Sequence, residues 1–212
     1  MIPDLLRFWG ASPSSNTAIA WIGGIFLLAY LVGSIPSGIL VTKALGLGNL
    51  KSIGSGNIGA TNVLRTGNKI AALLTLFLDA GKGVIAVLLA EKYLGITAAH
   101  FAALGAFCGH IFSVFLFFKG GKGVAIFLGI LLALNLHLGL TICAFWLLIA
   151  FFSKYSSLAS LISSALSILV LIILEDLSLM WLLLAMVSLI WFSHRENIAR
   201  LFMGKEPKLT IK

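Results

Sequence analysis

Seven mainly apolar runs, at roughly 18–42, 70–90, 97–117, 122–136, 138–153, 157–174 and 177–193, occupy most of this chain and decide what it can fold into. A helix needs about 20 such residues to cross a bilayer, with about 17 still workable, and most of the runs meet that length. A helix also pairs its own backbone N–H and C=O groups, which hydrocarbon cannot do for it. Composition agrees: 60% of the 212 residues are hydrophobic, only 10% are charged, and the mean hydropathy is +1.10. A soluble domain carries about a quarter charged residues. The expected fold is an all-α integral membrane bundle of seven transmembrane helices in one domain. Residues 1–17 form a polar N-terminal extension, 18–193 the seven-span bundle and 194–212 a basic tail. The extension lacks the basic start and short apolar core of a cleavable signal. The fourth and fifth runs meet near Asn135–His137, which reads as a tight turn.

The net charge of +8 would suit nucleic acid in a soluble protein, but in a membrane chain its distribution matters more, and no nucleic-acid partner is expected. One set of loops holds twelve basic residues: Lys43, Lys51, Arg65, Lys69, Lys119, Lys122, Lys154, Arg195, Arg200, Lys205, Lys208 and Lys212. The opposite set holds two, Arg7 and Lys92, beside Asp4, Glu91, Glu175 and Asp176. The first set is therefore expected at the cytoplasm, with the N-terminus outside and the C-terminus inside. Spans two, four and six then begin at the cytoplasmic face. Helix N-termini present unpaired N–H groups and about half a positive charge, which favours anions. Beside these ends stand GATNVLR with TGNK, KGGKGVA, and Lys154 with Ser156 and Ser157.

Two of these polar segments are glycine-rich: GSGNIGATNVLR at 54–65 and KGGKGVA at 119–125. In the first, Gly54, Gly56 and Gly59 let backbone N–H groups approach a ligand, while Ser55, Asn57, Thr61 and Asn62 offer neutral donors. The planar fork of Arg65 matches phosphate oxygens. In the second, Gly120, Gly121 and Gly123 surround Lys122, with Lys119 ahead of them. It lacks the GxxxxGK[ST] spacing of a nucleotide P-loop. The competing structural readings are a plain glycine-rich turn for the first cluster and lysine anchoring with a glycine cap for the second.

Asp79 and Lys82 lie three apart inside the second span and share a helix face. Each alone costs about 2.5–3.5 kcal/mol at the bilayer centre, so they are expected to pair toward the bundle interior, as a structural ion pair or as part of a site. HRENIAR at 194–200 closes the last span. His194 and Asn197 share a face that can return toward the glycine clusters, while Arg195 and Arg200 suit an interfacial basic helix. His110 reads as a buried, hydrogen-bonded histidine, and SIPSG around Pro36 as a kink or a close helix contact. Cys108 and Cys143 stand singly in apolar runs and read as packing residues. There is no zinc-ligand set and no HxxxxD pair, and neither a metal nor a cofactor is expected.

GSGNIGATNVLR, LDAGKG, GHIFSVF, FKGGKGVA, SSLAS and HRENIARL follow in this order between about Ala29 and Leu201. With these motifs the chain resembles the bacterial membrane glycerol-3-phosphate acyltransferases that use acyl-phosphate, the PlsY family. The resemblance implies transfer of a fatty acyl group from acyl-phosphate to the 1-hydroxyl of sn-glycerol 3-phosphate, with lysophosphatidate and phosphate as products. It implies a multi-pass protein of the bacterial inner membrane with its site at the cytoplasmic face. The expected partners are the bilayer, the two substrates and a peripheral enzyme that makes acyl-phosphate. Carried over by motif, Lys119, Lys122, His194 and Asn197 are the catalytic candidates. Ser55, Gly56, Asn57, Thr61, Asn62, Arg65, Gly120, Gly121, Gly123 and Ser157 are the phosphate-binding ones, with Asp79, Lys82 and His110 as further candidates. Two rival classes remain open. A phosphate transporter would also use helix-end anion sites but favours inverted repeats and midplane binding. An intramembrane serine protease would need Ser37 or Ser55 at the depth of a histidine.

Overall fold

The computed structural model describes residues 16–209, so nearly all of the polar extension at 1–17 and the last three residues of the tail lie outside the described residues. Every regular element described is helical: α1 (Asn16–Ser34), α2 (Ser37–Ala44), α3 (Ala60–Leu64), α4 (Lys69–Leu94), α5 (Ile96–Ile111), α6 (Val124–Leu134), α7 (Leu136–Ser153), α8 (Ser156–Ile173), α9 (Met180–Ser193) and α10 (Arg195–Phe202), with single 3₁₀ turns between some of them. The residues between α1 and α2 are Ile35 and Pro36, where the missing proline N–H interrupts the helical ladder. Asn68 caps α4 by accepting from the Ala71 N–H at 2.9 Å, and Asn135 caps α7 through the Leu138 N–H at 3.0 Å. The tight turn expected at Asn135–His137 is present.

Five segments are long and apolar enough to cross a membrane: Ile19–Ala44, Lys69–Leu94, Ile96–Leu116, Leu136–Ser153 and Ser156–Ile173. Leu177–Ser193 and Arg195–Phe202, bent by 57° at their junction, count as a sixth if taken as one span. The expected fourth span at 122–136 is shorter than the pattern suggested. Its helix, α6, has 11 residues, a rise of about 17 Å at 1.5 Å per residue. That falls well short of the ~30 Å hydrocarbon core. The cause is local: Gly123 takes a left-handed φ of 85°, so the helix cannot start before Val124. The residues ahead of it lie as a loop on the end of α5.

α1 packs along α5 at very short range. A methyl group on Gly33 would lie 2.0 Å from the Ala106 carbonyl oxygen, and one on Gly109 would lie 2.1 Å from that of Tyr30. Such backbone contact replaces the hydrophobic driving force that lipid cannot supply. The core between the helices holds Phe107, Phe127, Ile130, Leu182, Met186 and Ile190, all essentially inaccessible. Leu28, Phe77, Leu147, Phe152 and Ile173 point outward, as a lipid-facing surface requires. The two ends of the bundle differ. One end carries Asn135 donating to Asp176 at 3.0 Å and His100 edge-on to Trp181. The other gathers both glycine clusters, the start of α8 and the C-terminal segment.

Candidate active site

The first cluster is organised by Asn62 at the heart of a compact loop. Its side-chain N–H groups donate to the carbonyls of Leu50 (3.0 Å) and Asn57 (2.7 Å), and its oxygen accepts from the Ser55 N–H and from Arg65 Nη1, both at 3.2 Å. Asn62 thus shapes the loop, and its amide is spent internally. Gly54 has a left-handed φ of 52°, which glycine adopts freely, and a methyl there would meet Arg65 Cδ at 2.6 Å and push that side chain aside. The backbone at Gly56 is also left-handed, Asn57 accepts from the Ile58 N–H, and the Ser55 side chain is exposed. Thr61 reaches across to Ser156 at the start of α8, 3.1 Å away. Half-buried Arg65 stands close enough to Glu206 and Arg200 to feel both charges.

In the second cluster the glycines serve close approach more than ligand contact. The Gly120 N–H donates to the Ile111 carbonyl and the Gly121 N–H to that of His110, each at 2.9 Å. A methyl on Gly121 would lie 2.2 Å from His110 Nε2, and one on Gly123 2.8 Å from the Phe107 ring. Two N–H groups expected to face a ligand are therefore used to seat the loop on α5. Among the described residues, the N–H groups of Lys122 and Gly123 have no backbone acceptor, and the first turn of α6 adds its own free donors. The open donors thus lie around Lys122 at the start of α6. Lys119 is exposed at the loop edge, without a side-chain partner among the described residues.

Lys122 turns inward and donates to Asn197 Oδ1. Asn197 donates in turn to Glu206 Oε1 at 2.6 Å, and the Ser157 hydroxyl donates to the same oxygen at 2.7 Å. Arg200 Nε holds the other carboxylate oxygen at 2.8 Å. His194, nearly inaccessible, places Nδ1 2.8 Å from the Ile190 carbonyl. A carbonyl only accepts, so Nδ1 carries the proton and a neutral ring keeps the Nε2 lone pair. Burial, followed by the positive charge of Arg200, pulls the Lys122 ammonium down to about 8. For Glu206, burial alone would raise the carboxyl, but the donors Ser157, Asn197 and Arg200 hold it below its ordinary value. Arg65, Lys122 and Arg200 thus share one region with a single buried carboxylate, which favours a further anion.

Six of the sequence candidates meet here: Lys122, Asn197 and Ser157 are joined by hydrogen bonds through Glu206, His194 lies close enough to feel the Lys122 charge, and Arg65 and Thr61 stand at the border. Lys119 and Ser55 stay at the rim. Arg200, read as a headgroup contact, instead turns into the site, whereas Arg195 is exposed and stacked over Phe192 at 4.8 Å. Glu206 was not foreseen. Its only sequence signal is an acid within a basic tail, two residues after a glycine.

A cationic cluster at one end of a multi-pass helical bundle marks an integral membrane protein suited to binding anions. The family model described as glycerol-3-phosphate acyltransferase matches residues 23–204. A glycerol-3-phosphate acyltransferase of Jannaschia sp. (strain CCS1) is 54% identical over 197 residues, covering 93% of this chain and 97% of that protein. One from Dinoroseobacter shibae is 49% identical over 200 residues, covering 94% and 98%. The chain belongs to the glycerol-3-phosphate acyltransferase family. Its fold is also similar to crystal structures of PlsY (YgiH), an integral membrane glycerol 3-phosphate acyltransferase. The glycerol 3-phosphate form superposes with a TM-score of 0.84 at 38% identity, covering 89% of this chain and 96% of that one. The lysophosphatidic acid form gives 0.81 at 37%, covering 90% and 96%.

Proposed function

We propose that this chain transfers a fatty acyl group from acyl-phosphate to the sn-1 hydroxyl of glycerol 3-phosphate, releasing lysophosphatidate and phosphate in a bacterial inner membrane. The observation that carries this reading is the convergence of Arg65, Lys122 and Arg200 with the open N–H groups of α6 in one region. Both substrates present phosphate, and a transporter would hold its anion near the midplane rather than at one end. In the reaction, the hydroxyl oxygen attacks the acyl carbonyl carbon, the bond from that carbon to the phosphate oxygen breaks, and phosphate leaves with the bonding pair. The hydroxyl proton passes to His194 Nε2 or to a phosphate oxygen. The mixed anhydride is already activated, so no acyl-enzyme is needed. Lys122 and the N–H donors beside it stabilise charge on the carbonyl oxygen and the leaving phosphate. Ser157 and Asn197 hold the surroundings of Lys122, and Thr61, Asn57 and Arg65 border the second phosphate. Purified protein supplied with palmitoyl phosphate and glycerol 3-phosphate tests the reading. Phosphate release matched by lysophosphatidate formation is expected, and no turnover in a folded sample overturns it.

The same reading places seven crossings in the membrane, with the N-terminus outside and the C-terminus cytoplasmic. α6 is then a short fourth crossing of 11 residues, and the loop ahead of it, seated on the end of α5, stays at the membrane surface. The twelve-to-two split of basic residues supports that orientation. Single cysteines at Lys208 and Lys92 in a Cys108→Ala/Cys143→Ala background check it. In whole cells, an impermeant maleimide should label position 92 and spare position 208, and the reverse pattern inverts the topology.

A further inference from the structure

Three buried ionisable side chains take no part in the chemistry above. Asp79 and Lys82 of α4 form an ion pair at 3.0 Å, and His110 Nδ1 of α5 lies 3.6 Å from the same Asp79 oxygen. All three are more than nine-tenths buried. A pair that served only to neutralise itself would need no other contacts, yet this one reaches in two directions.

On one side it meets the interruption of the first span. Lys82 Nζ donates to the Ile35 carbonyl at 3.0 Å, just beyond the end of α1. There it is also favoured by the negative end of the helix dipole. Ser113, past the end of α5, donates to the neighbouring Ser34 carbonyl at 2.6 Å. On the other side lies the second glycine cluster. The His110 carbonyl accepts the Gly121 N–H, and the His110 ring occupies the space a Gly121 side chain would need, with Nε2 2.2 Å from an ideal Cβ. Lys122 is the next residue. A single chain of contacts thus runs from the Pro36 break through Lys82, Asp79 and His110 to the loop that presents Lys122.

We propose that Asp79, Lys82 and His110 are positioning residues for acyl transfer: one buried charge cluster that sets the height of the KGGKG loop, and with it Lys122, against the broken first span. This rests on the acyltransferase reading of the site. The three residues touch the loop from beneath and act on substrate only through it. A displacement of about 1 Å at such a loop is enough to cost on the order of 100-fold in rate.

The test compares removal of the charges with removal of the contact. Wild-type protein in nanodiscs must first acylate glycerol 3-phosphate; if it does not, the acyltransferase reading fails before this assignment is reached. Asp79→Asn with Lys82→Gln removes both charges together and leaves no unpaired ion in the core. Its thermal midpoint should stay near wild type, while KM for at least one phosphate substrate rises about 10- to 100-fold, with a smaller change in kcat. An unaltered KM, whatever the midpoint, overturns the assignment, because a purely structural ion pair predicts that result. If this variant does not fold, a cycle at Gly121 decides. Gly121→Ala should lower kcat/KM about 100-fold, and adding His110→Ala should restore at least fivefold by vacating the space beneath the loop. A double variant no better than Gly121→Ala alone overturns the positioning role.

Discussion

Lys122→Ala is expected to lower kcat/KM for acyl transfer by about 10²–10³-fold while leaving the bundle folded, measured as phosphate release from palmitoyl phosphate. The size is that of removing one preorganised donor for developing negative charge, the role proposed for Lys122. The fold should survive because Lys122 lies in the loop ahead of α6, and its loss leaves Asn197 still tied to Glu206. The same lysine sets an alkaline limit. Only the ammonium form holds phosphate, and burial brings its pKa to about 8. In the free enzyme, kcat/KM should therefore decline as pH rises through about 8, and a saturating phosphate substrate should move that limb to higher pH. Lys122→Arg separates charge from geometry. Guanidinium stays protonated beyond about pH 12, so the limb should vanish even where the rate is low. A Lys122→Ala variant with near-wild-type turnover would end the role given to this residue, and an unchanged limb in Lys122→Arg would assign the titration to another group.

What the sequence disclosed and what it hid divide along physical lines. Long apolar runs reveal helices because hydrocarbon leaves the backbone no alternative, and five of the seven expected spans are present as segments of 18 to 26 residues. The pairing of Asp79 with Lys82 was legible because an isolated intramembrane charge is so costly. The return of His194 and Asn197 toward the glycine clusters was legible from their shared helix face. α6 was not, since its start is set by the left-handed backbone at Gly123 and by the Phe107 ring packed against it, neither of which alters hydropathy. Gly120 and Gly121 carried a second ambiguity. Glycine permits close approach of anything, and here that partner is the end of α5. Arg200 and Glu206 were hidden for a similar reason. Each looks like an ordinary solvated charge until the chain reverses after α10 and sets them 2.8 Å apart.

Glu206→Gln is expected to lower both stability and activity, the first by about 1.5–3 kcal/mol, in line with the loss of a buried charged hydrogen-bond acceptor. The carboxylate accepts from Ser157, Asn197 and Arg200 at 2.6–2.8 Å, and its side chain is only 6% exposed. A glutamine oxygen can replace one carboxylate oxygen and keep Ser157 and Asn197. Its amide nitrogen then confronts Arg200 Nε, donor against donor, and three cations lose their one buried counter-charge. The segment that delivers Glu206 depends on these bonds. It turns at Gly204, whose φ is 65°, joins the Lys205 N–H to the Arg200 carbonyl at 2.8 Å, and ends with the Leu209 N–H on the Lys154 carbonyl at 2.7 Å. The thermal midpoint in detergent should therefore drop by several degrees, and KM for glycerol 3-phosphate or acyl-phosphate should rise as Asn197 and Lys122 lose their anchor. Combining the substitution with Arg200→Gln removes the unpaired guanidinium and should recover much of the midpoint, though not the activity, since the proposed anion site then loses one of its three cations. If Glu206→Gln alone keeps the wild-type midpoint, the carboxylate does not bind this segment to the bundle, and the charge balance of the site must be held by other groups.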